Sequence, residues 1–272
     1  MNEKFERLKE LIKSVGSCIV AYSGGVDSVF LSVVAHNVLG DRMLAVIDDT
    51  PSLPRRELQE ALDIAQRFGF PLRVIKTNEF ANINYVSNPV DRCYFCKHEL
   101  FDEMVKIARA EGYNVILYGE NASDVGDFRP GTKAAEEHRA RAPMKEVGLT
   151  KEEIRALSRQ MNLPTAEKPQ MACLSSRVPY GEEVNPQKLK MIEEAEYVLR
   201  DLGFREVRVR HHELKHGCLA RIEIGHAEIM NLFKDGVNSK ISDAMRRIGY
   251  NYVTVDVLGY RRGSVNEAIG IK

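Results

Sequence analysis

The chain has 272 residues, and its 39 lysines and arginines are balanced by 39 aspartates and glutamates. The resulting formal net charge of zero argues against a strongly basic nucleic-acid-binding protein and against a polybasic membrane-surface protein. Hydrophobic residues make up 44% of the chain and charged residues 29%, a balance typical of globular rather than disordered proteins.

The compartment is indicated by the amino terminus and by the cysteines. The first 15 residues alternate charged and apolar side chains at helical spacing and lack the apolar core of a signal peptide. No apolar run reaches the roughly 20 residues that cross a bilayer, and five cysteines are too few for a secreted disulfide framework. We therefore expect a cytoplasmic protein without a membrane partner, in which any cysteine pair serves metal or thiol chemistry.

The first half of the chain alternates apolar runs with amphipathic stretches. Strands are predicted at residues 17–22, 43–47, 72–75 and 115–118, and helices at about 26–38, 54–68 and 99–111. Strands and helices in this alternation predict an α/β fold, a parallel sheet with helices on both faces. Ligands of such sheets bind at the carboxyl ends of the strands.

The pattern changes near Gly181. A helix is predicted from Asn185-Pro186 to about Leu202, followed by strands with period-two alternation at 207–210 and 219–224. A helix near 241–248 and a strand near 252–257 complete a small α+β domain. We predict domains at 1–180 and 181–272, the second of them for substrate binding or oligomerisation.

The sharpest motif is the segment Ser23-Gly24-Gly25-Val26-Asp27-Ser28, which follows the first strand and opens a helix. Two glycines let the backbone approach a bound oxyanion, and the unbonded N–H groups of the helix start point at it. The loop has no lysine after the glycines and is therefore not a Walker loop. An aspartate beside a phosphate fits Mg²⁺ coordination, although Asp27 could also only complement the helix dipole.

The motif resembles the signature of the N-type ATP pyrophosphatases, the PP-loop superfamily, which cleave ATP between the α and β phosphates. Three further segments resemble, in order and spacing, the LarE family of sulfur transferases, which act in nickel-pincer nucleotide biosynthesis. They start at Asp48, at Gly119 and at Lys168, the last one containing Cys173-Leu174-Ser175-Ser176-Arg177. In the second segment, Glu120 and Ser123 depart from the usual pattern, which leaves the role of position 123 open.

The resemblance implies a reaction and a set of site residues. A carboxylate of a pyridinium dicarboxylate mononucleotide attacks ATP, pyrophosphate leaves, and sulfur then replaces AMP to give a thiocarboxylate. The ATP and Mg²⁺ site implied comprises Ser23, Gly24, Gly25, Asp27, Ser28, Asp48, Asn121 and Asp124. The substrate site comprises Arg129, Ser176, Arg177, Arg208 and Arg210, while Glu196, in a run that reads as surface, is only a further candidate. Arg208 and Arg210 share one face of a strand and could clamp a phosphate, or form a solvated sheet face.

The cysteines leave three alternatives open. Cys93 and Cys96 form a CxxC pair predicted to lie in the loop before a helix, and the resemblance links them to Cys173. Three thiolates can hold a [4Fe-4S] cluster and leave one iron open for hydrosulfide, which makes Cys173 the catalytic cysteine and all three cysteines metal ligands. The alternatives are a zinc site completed by His98 (or a redox pair), and a sacrificial Cys173 that donates its own sulfur. Cys18 and Cys218 are expected to be packing residues.

Other functions compatible with the motifs are a cluster-dependent tRNA thiolation enzyme, an ammonia-using ligase and a nucleotide-binding module without catalysis. Neutral net charge disfavours the tRNA enzyme, and a ligase would not need the CxxC pair. Expected partners are the nucleotide substrate and sulfide, a carboxylating enzyme upstream, a nickel-inserting protein downstream, and further copies of the chain in a homo-oligomer.

Overall fold

The chain folds into two compact units. A computed structural model describes residues 2–124, 130–169, 172–261, 263–267 and 269–270. The first unit comprises Met1–Asn82 and Asp91–Met171, and the second comprises Ile83–Val90 and Ala172–Lys272. The second unit thus includes a short segment from the first half of the sequence, which the predicted division at residue 180 does not contain.

The first unit is built on a parallel sheet. Its strands are β1 (Cys18–Ala21), β2 (Met43–Asp48), β3 (Leu72–Ile75) and β4 (Val115–Tyr118), in the order β3-β2-β1-β4. β1 pairs in parallel with β2 and β4, so all carboxyl ends meet at one edge. The predicted fold class is confirmed, and the loop after β1 lies at the centre of that edge.

Helices cover both faces of this sheet. Val20 and Ala45 pack into one apolar core, whereas the alternate residues Ile19, Leu44 and Val46 pack into another. The helices of the first unit are α1 (Asn2–Val15), α2 (Val26–Leu39), α3 (Arg55–Phe68), α5 (Arg92–Glu111), α6 (Pro130–Glu137), α7 (Pro143–Glu146) and α8 (Lys151–Gln160). Both faces of the strands are apolar because both are buried under helices.

One helix begins earlier than its sequence predicts. α5 starts at Arg92, with Asp91 at the N-cap position, so the CxxC pair lies in the first turns of a helix and not in a loop. The main-chain N–H of Tyr94 already donates to the carbonyl of Asp91, 2.8 Å away. An aspartate shortly after Pro89 is a helix-start signal that the apolar periodicity alone does not show.

The second unit contains a three-stranded sheet. β5 (Val207–Leu214) pairs antiparallel with β6 (Gly217–Ile224), which pairs in parallel with β7 (Tyr252–Val255). Its helices are α4 (Ile83–Val86), α9 (Pro186–Asp201), α10 (Val237–Ile248) and α11 (Ser264–Glu267). The side chain of Asn185 caps α9 by accepting from the N–H of Lys188.

The segment 83–90 is held to the second unit by hydrogen bonds. The amide of Asn88 donates to the carbonyl of Pro179 over 2.7 Å, and the hydroxyl of Tyr85 bonds that of Ser175 over 2.8 Å. The main-chain N–H of Val184 also donates to the carbonyl of Val86. These contacts join the segment to residues 175–184, far away in the sequence.

Among the helices formed by the described residues, none has both the length and the apolar character that crossing a bilayer requires.

Candidate active site

The phosphate loop, residues 23–28, has a backbone that only glycine allows at one position. Gly24 has φ of 70°, and a Cβ built on it would lie 2.8 Å from the Cβ of Ala61 on α3. Ser28 Oγ accepts from the main-chain N–H of Ser23 and bonds Ser23 Oγ, both over 3.1 Å. The loop is therefore packed against α3 and closed on itself by its serines.

The loop delivers the start of α2 to the carboxyl edge of the sheet. Gly25 is the N-cap residue with extended backbone angles, and its carbonyl accepts from the N–H of Val29. The first N–H groups of α2 have no partner inside the helix, which makes the turn an anion-binding element. Gly119, after β4, completes the packing, because a Cβ there would lie 3.1 Å from the nitrogen of Ser28.

Asp27 faces two partners that the sequence does not reveal. Its carboxylate accepts from Nζ of Lys151 over 2.6 Å and from the amide of Asn121 over 3.4 Å. Lys151 is the first residue of α8 and is positioned by the capping box of Thr150 and Glu153. The expected magnesium ligand is thus paired with a lysine, which brings a cation beside a loop that has no lysine of its own.

A second lysine lies on the other side of the loop. Nζ of Lys168 is 3.4 Å from the carbonyl oxygen of Gly24, and it pairs with the carboxylates of Glu57 at 2.6 Å and Glu60 at 2.8 Å. Its side chain is 11% exposed, so this ion pair is largely shielded from water. Lys168 belongs to a segment on which the family resemblance depends, but its spacing indicates no role, and sequence reasoning missed it.

The carboxylate of Asp48 is held by hydrogen bonds from Thr77. Its two carboxylate oxygens accept from the N–H of Thr77 at 2.9 Å and from the hydroxyl of Thr77 at 2.6 Å. Burial raises the pKa of Asp48 to about 6, and the nearby Glu79 carboxylate adds to this, against the lowering effect of the two Thr77 bonds. Asp48 therefore joins the end of β2 to the residues after β3, and its predicted contact with the nucleotide stays a prediction.

The segment after β4 forms a tight turn against the loop. The side chain of Asp124 accepts from the N–H of Asn121, and the side chain of Asn121 accepts from the N–H of Ser123. The hydroxyl of Ser123 accepts from the N–H of Lys151 over 3.0 Å and so helps to cap the start of α8. Position 123, whose role the sequence leaves open, therefore helps to place the lysine that pairs with Asp27. Arg129 lies outside the described residues.

In the second unit, Cys173 is an exposed residue at the start of a short 3-10 helix, Leu174–Arg177. Its carbonyl oxygen accepts from the hydroxyl of Ser176 at 2.8 Å and from Nη1 of Arg177 at 2.9 Å. Nη1 of Arg177 also donates to the carbonyl of Ala172. Arg177 thus holds the backbone at Cys173 through hydrogen bonds to two consecutive carbonyl groups.

Arg177 is itself fully buried and paired with Glu196. Its Nε and Nη2 donate to the two carboxylate oxygens of Glu196 over 2.8 and 3.1 Å, and Glu196 also accepts from the N–H of Val209. Burial by itself would raise the pKa of Glu196, but the Arg177 charge and these bonds lower it. The expectation for Glu196 is corrected, because it is buried and not on the surface. The guanidinium of Arg177 bonds protein groups, and its predicted contact with substrate stays a prediction.

The two arginines of β5 also differ from the predicted clamp. The first five residues of β5 are all buried, so the strand is not a solvated face. Arg210 pairs with both oxygens of Glu223, at 3.0 and 2.8 Å, and its Nη1 donates to the carbonyl of Ser176. It therefore supports the Cys173 segment and has no open face toward a ligand.

Arg208 is the exception in this cluster. Its Nη1 donates to the carbonyl of Val207, its guanidinium lies 5.1 Å from the ring centre of Tyr260, and it is 7% exposed. Among the described residues, no carboxylate lies within ion-pair distance of it. Burial and the positive charge of Arg177 lower its pKa to about 10. Arg208 thus carries a buried positive charge that is suited to an anionic ligand.

The cysteines divide by exposure. Cys173 and Cys93 are exposed and Cys96 is partly exposed, whereas Cys18 is fully buried in β1. Cys93 and Cys96 are three residues apart on α5 and so lie on one helix face. Burial raises the pKa of the Cys18 thiol, as expected of a packing residue. His98, the suggested fourth zinc ligand, instead contacts Asp102.

Comparison with known proteins identifies the relatives of the chain. No protein-family model matches it. It is 40% identical over 269 residues to an uncharacterized protein of Synechocystis, with 99% of each chain covered. It is 31% identical to the pyridinium-3,5-bisthiocarboxylic acid mononucleotide synthase of Lactiplantibacillus plantarum, covering 95% of this chain and 92% of the relative.

The chain belongs to the family of these synthases. It is therefore an enzyme, a sulfur transferase. A more distant relative, one of the subunits of the glutamine-hydrolysing GMP synthase of Pyrococcus furiosus, is 25% identical over 73% of this chain and 69% of its own. This similarity agrees with the PP-loop superfamily that the phosphate loop predicts. The expected family is confirmed, whereas the roles of individual site residues and the presence of an iron–sulfur cluster stay predictions.

Proposed function

We propose that the chain adenylates a carboxylate of a pyridinium dicarboxylate mononucleotide with ATP and replaces the AMP with sulfur. The observation that carries the proposal is the phosphate loop with its two lysines, in a chain similar over nearly its full length to a relative named as a pyridinium-3,5-bisthiocarboxylic acid mononucleotide synthase. A thiocarboxylate is made from a carboxylate by activating one oxygen as a leaving group, which is the chemistry that ATP cleavage supplies.

In the activation step, a carboxylate oxygen of the substrate attacks the α-phosphorus, and the bond from that phosphorus to the pyrophosphate oxygen breaks. The charge of the departing pyrophosphate calls for donors and cations. The N–H groups at the start of α2 supply donors, and Lys151 supplies positive charge. Lys168 is neutralised by Glu57 and Glu60, and it supports the loop at the carbonyl of Gly24. Mg²⁺ prefers carboxylate oxygens, and Asp27 is the residue we assign to it, together with the phosphates of ATP.

Recognition of the substrate requires a cation for its own phosphate. We assign this role to Arg208, because its guanidinium is buried and its described partners are a carbonyl and a ring. Arg177 and Arg210 then have a different role: they neutralise Glu196 and Glu223 and hold the segment of Cys173. Of the three predicted substrate arginines that the structure describes, the phosphate-binding role is thus assigned to Arg208, while Arg129 stays a prediction.

In the sulfur step, the sulfur attacks the activated carbonyl carbon and AMP leaves. Cys93, Cys96 and Cys173 are accessible side chains, and their thiolates are of the ligand type that a [4Fe-4S] cluster uses. When bound, such a cluster would supply sulfide at an iron that no cysteine ligates. We therefore propose that the sulfur comes from sulfide and that the cysteines remain intact.

The test starts from anaerobic reconstitution with iron and sulfide, read by iron content and absorption spectrum. The variants are Cys93→Ser, Cys96→Ser and Cys173→Ser, and the matched control is Cys218→Ser, a partly exposed cysteine of β6. The reconstituted protein then receives ATP, Mg²⁺, sulfide and the dicarboxylate mononucleotide, and AMP, pyrophosphate and the mass of the product are measured. We expect cluster formation and repeated turnover in the wild type and the control, and neither in the three variants.

Two results would change the proposal in different ways. Product formed once per chain without iron, with Cys173 losing the mass of hydrogen sulfide, would replace the cluster by sacrificial transfer from Cys173. Absence of AMP and pyrophosphate under every condition would refute the adenylation step as well.

The role of Arg208 is tested with two substrates. Arg208→Met should raise the KM for the mononucleotide about 10- to 150-fold, which corresponds to the roughly 1.5–3 kcal/mol of a hydrogen bond to a charged group, and leave the KM for ATP unchanged. The same variant should not change the KM for the dephosphorylated substrate. The exposed Arg205→Met serves as control. An equal loss with both substrates would show that Arg208 has only a structural role.

A further inference from the structure

Three side chains that the proposed function does not use come together beside α5 and α6. His98 and Asp102 lie one turn apart on α5, and His138 directly follows α6. One ligand atom from each residue can be chosen such that all three atoms lie within 4.8 Å of one another. Two imidazoles and a carboxylate form a donor set that binds divalent transition metals.

The hydrogen bonds of His138 leave a conflict that a cation would resolve. Its Nδ1 is 2.7 Å from the carbonyl oxygen of Ala134, and since a carbonyl only accepts, Nδ1 carries the hydrogen. In the neutral ring, Nε2 then has a lone pair, yet it lies 2.9 Å from Oδ1 of Asp102. Two acceptors at this distance repel each other unless a proton or a metal ion lies between them.

His98 repeats the arrangement. Its Nδ1 is 3.2 Å from Oδ2 of Asp102, and its Nε2 is 3.9 Å from a carboxylate oxygen of Glu137. The rings of His98 and His138 are 4.6 Å apart at an angle of 80°, so both can turn a nitrogen toward Asp102. Donors around a tetrahedral zinc ion are about 3.4 Å apart, close to the 3.2 and 2.9 Å that separate nitrogens of His98 and His138 from the oxygens of Asp102.

The surroundings also favour a metal ion. The bond from Nδ1 of His138 to the main chain is the outer contact that commonly orients a metal-binding histidine. The carbonyl it contacts belongs to the last turn of α6, where the helix dipole favours positive charge. Asp102 is 50% exposed and lines a groove of about 410 Å³ together with Glu99, so a coordination position stays open to solvent.

We propose that His98, Asp102 and His138 bind a divalent transition-metal ion of the zinc type. The ion would join α5 to α6 through nitrogen and oxygen ligands, whereas the proposed iron–sulfur site uses thiolates. The first helix turns of α5 carry Cys93 and Cys96, so a bound ion would also stabilise the helix that presents them. The inference does not depend on the proposed reaction.

The test uses the full chain with Cys93, Cys96 and Cys173 all replaced by serine, so that no thiolate of the proposed cluster competes. Co²⁺ is added as a spectroscopic probe, and the affinity for Zn²⁺ is measured against a chromophoric chelator. The variants are His138→Gln and Asp102→Asn, and the control is His216→Gln, an exposed histidine of the second unit.

We expect the thiol-depleted protein to bind about one Co²⁺ per chain, with a spectrum of nitrogen and oxygen ligation and no thiolate charge-transfer band. Each site variant should bind Zn²⁺ at least about 100-fold more weakly, since loss of even an outer contact costs 10–100-fold. Zn²⁺ should raise the Tm of the parent and the control, but not of the variants. Binding that is absent in the parent, or unchanged in both variants, would overturn the proposal and leave histidinium–carboxylate ion pairs only.

Discussion

The buried ion pair of Arg177 and Glu196 allows the most demanding test of the structure. Glu196→Ala removes bonds to Nε and Nη2 of Arg177 and to the N–H of Val209, at 2.8, 3.1 and 3.1 Å, and leaves a fully buried guanidinium uncompensated. Breaking a buried pair from one side costs about 3–5 kcal/mol, a large part of the 5–15 kcal/mol that stabilises an ordinary domain. We expect the free energy of unfolding of the second unit to fall by this amount in Glu196→Ala.

The assay is urea unfolding, combined with hydrogen exchange of the peptides that cover α9 and β5, since exchange reports the second unit separately. The control is Glu194→Ala on the same helix, whose side chain is 45% exposed and lies 3.8 Å from Lys190; it should cost less than about 0.5 kcal/mol. The double variant Arg177→Met/Glu196→Leu should recover most of the loss, because neither charge of this pair remains without the other. Equal stability of Glu196→Ala and the control would refute the buried pair.

The same pair predicts a pH dependence. Burial raises the pKa of Glu196, but Arg177 outweighs it, so the pKa in the folded protein is lowered relative to about 4.3 in the unfolded chain. The stabilisation is therefore fully present above that pH and is lost as pH falls through the folded value. The stability difference between wild type and Glu196→Ala should be constant from about pH 8 to pH 5 and narrow below about pH 4.

Three further predictions concern the first unit. Gly24→Ala should lower the free energy of unfolding by about 1–3 kcal/mol, because its Cβ would overlap that of Ala61 and the backbone has positive φ; thermal unfolding measures this. Lys151→Met should slow pyrophosphate release about 100-fold in a coupled assay, since it removes the cation 2.6 Å from Asp27. Burial raises the pKa of Asp48 to about 6. As pH rises from 4 to 7, the free energy of unfolding of wild type should therefore fall by about 1–2 kcal/mol relative to that of Asp48→Asn, an amount already reduced because Asp48 is partly exposed.

Each of these has a matched control or a contrary outcome. Gly25→Ala should be tolerated in the unfolding assay, because φ there is −84° and the nearest atom to its Cβ would be 3.5 Å away. Lys106→Met, 68% exposed, should leave pyrophosphate release unchanged. A constant stability difference between Asp48→Asn and wild type across this pH range would contradict the raised pKa.

Local pattern was sufficient for the fold class and for the phosphate loop. Apolar runs of strand length that alternate with helical periodicity indicate a parallel sheet, because only strands buried on both faces read that way. The loop follows β1, and Gly24 is glycine because φ is positive there and a Cβ would overlap a neighbouring side chain. Residues that act through backbone conformation are visible in sequence, since the constraint lies within a few neighbouring positions.

The partners of the charged side chains were decided by the tertiary structure. Arg208 and Arg210 share one face of β5, yet Arg210 is neutralised by Glu223 and Arg208 is not. Glu196 lies in the apolar stripe of α9 between Ile192 and Leu199, a signal that its acidic neighbours obscure. Ion pairing depends on distances across elements remote in sequence, and burial then determines whether a charge is solvated, paired or left to bind a ligand.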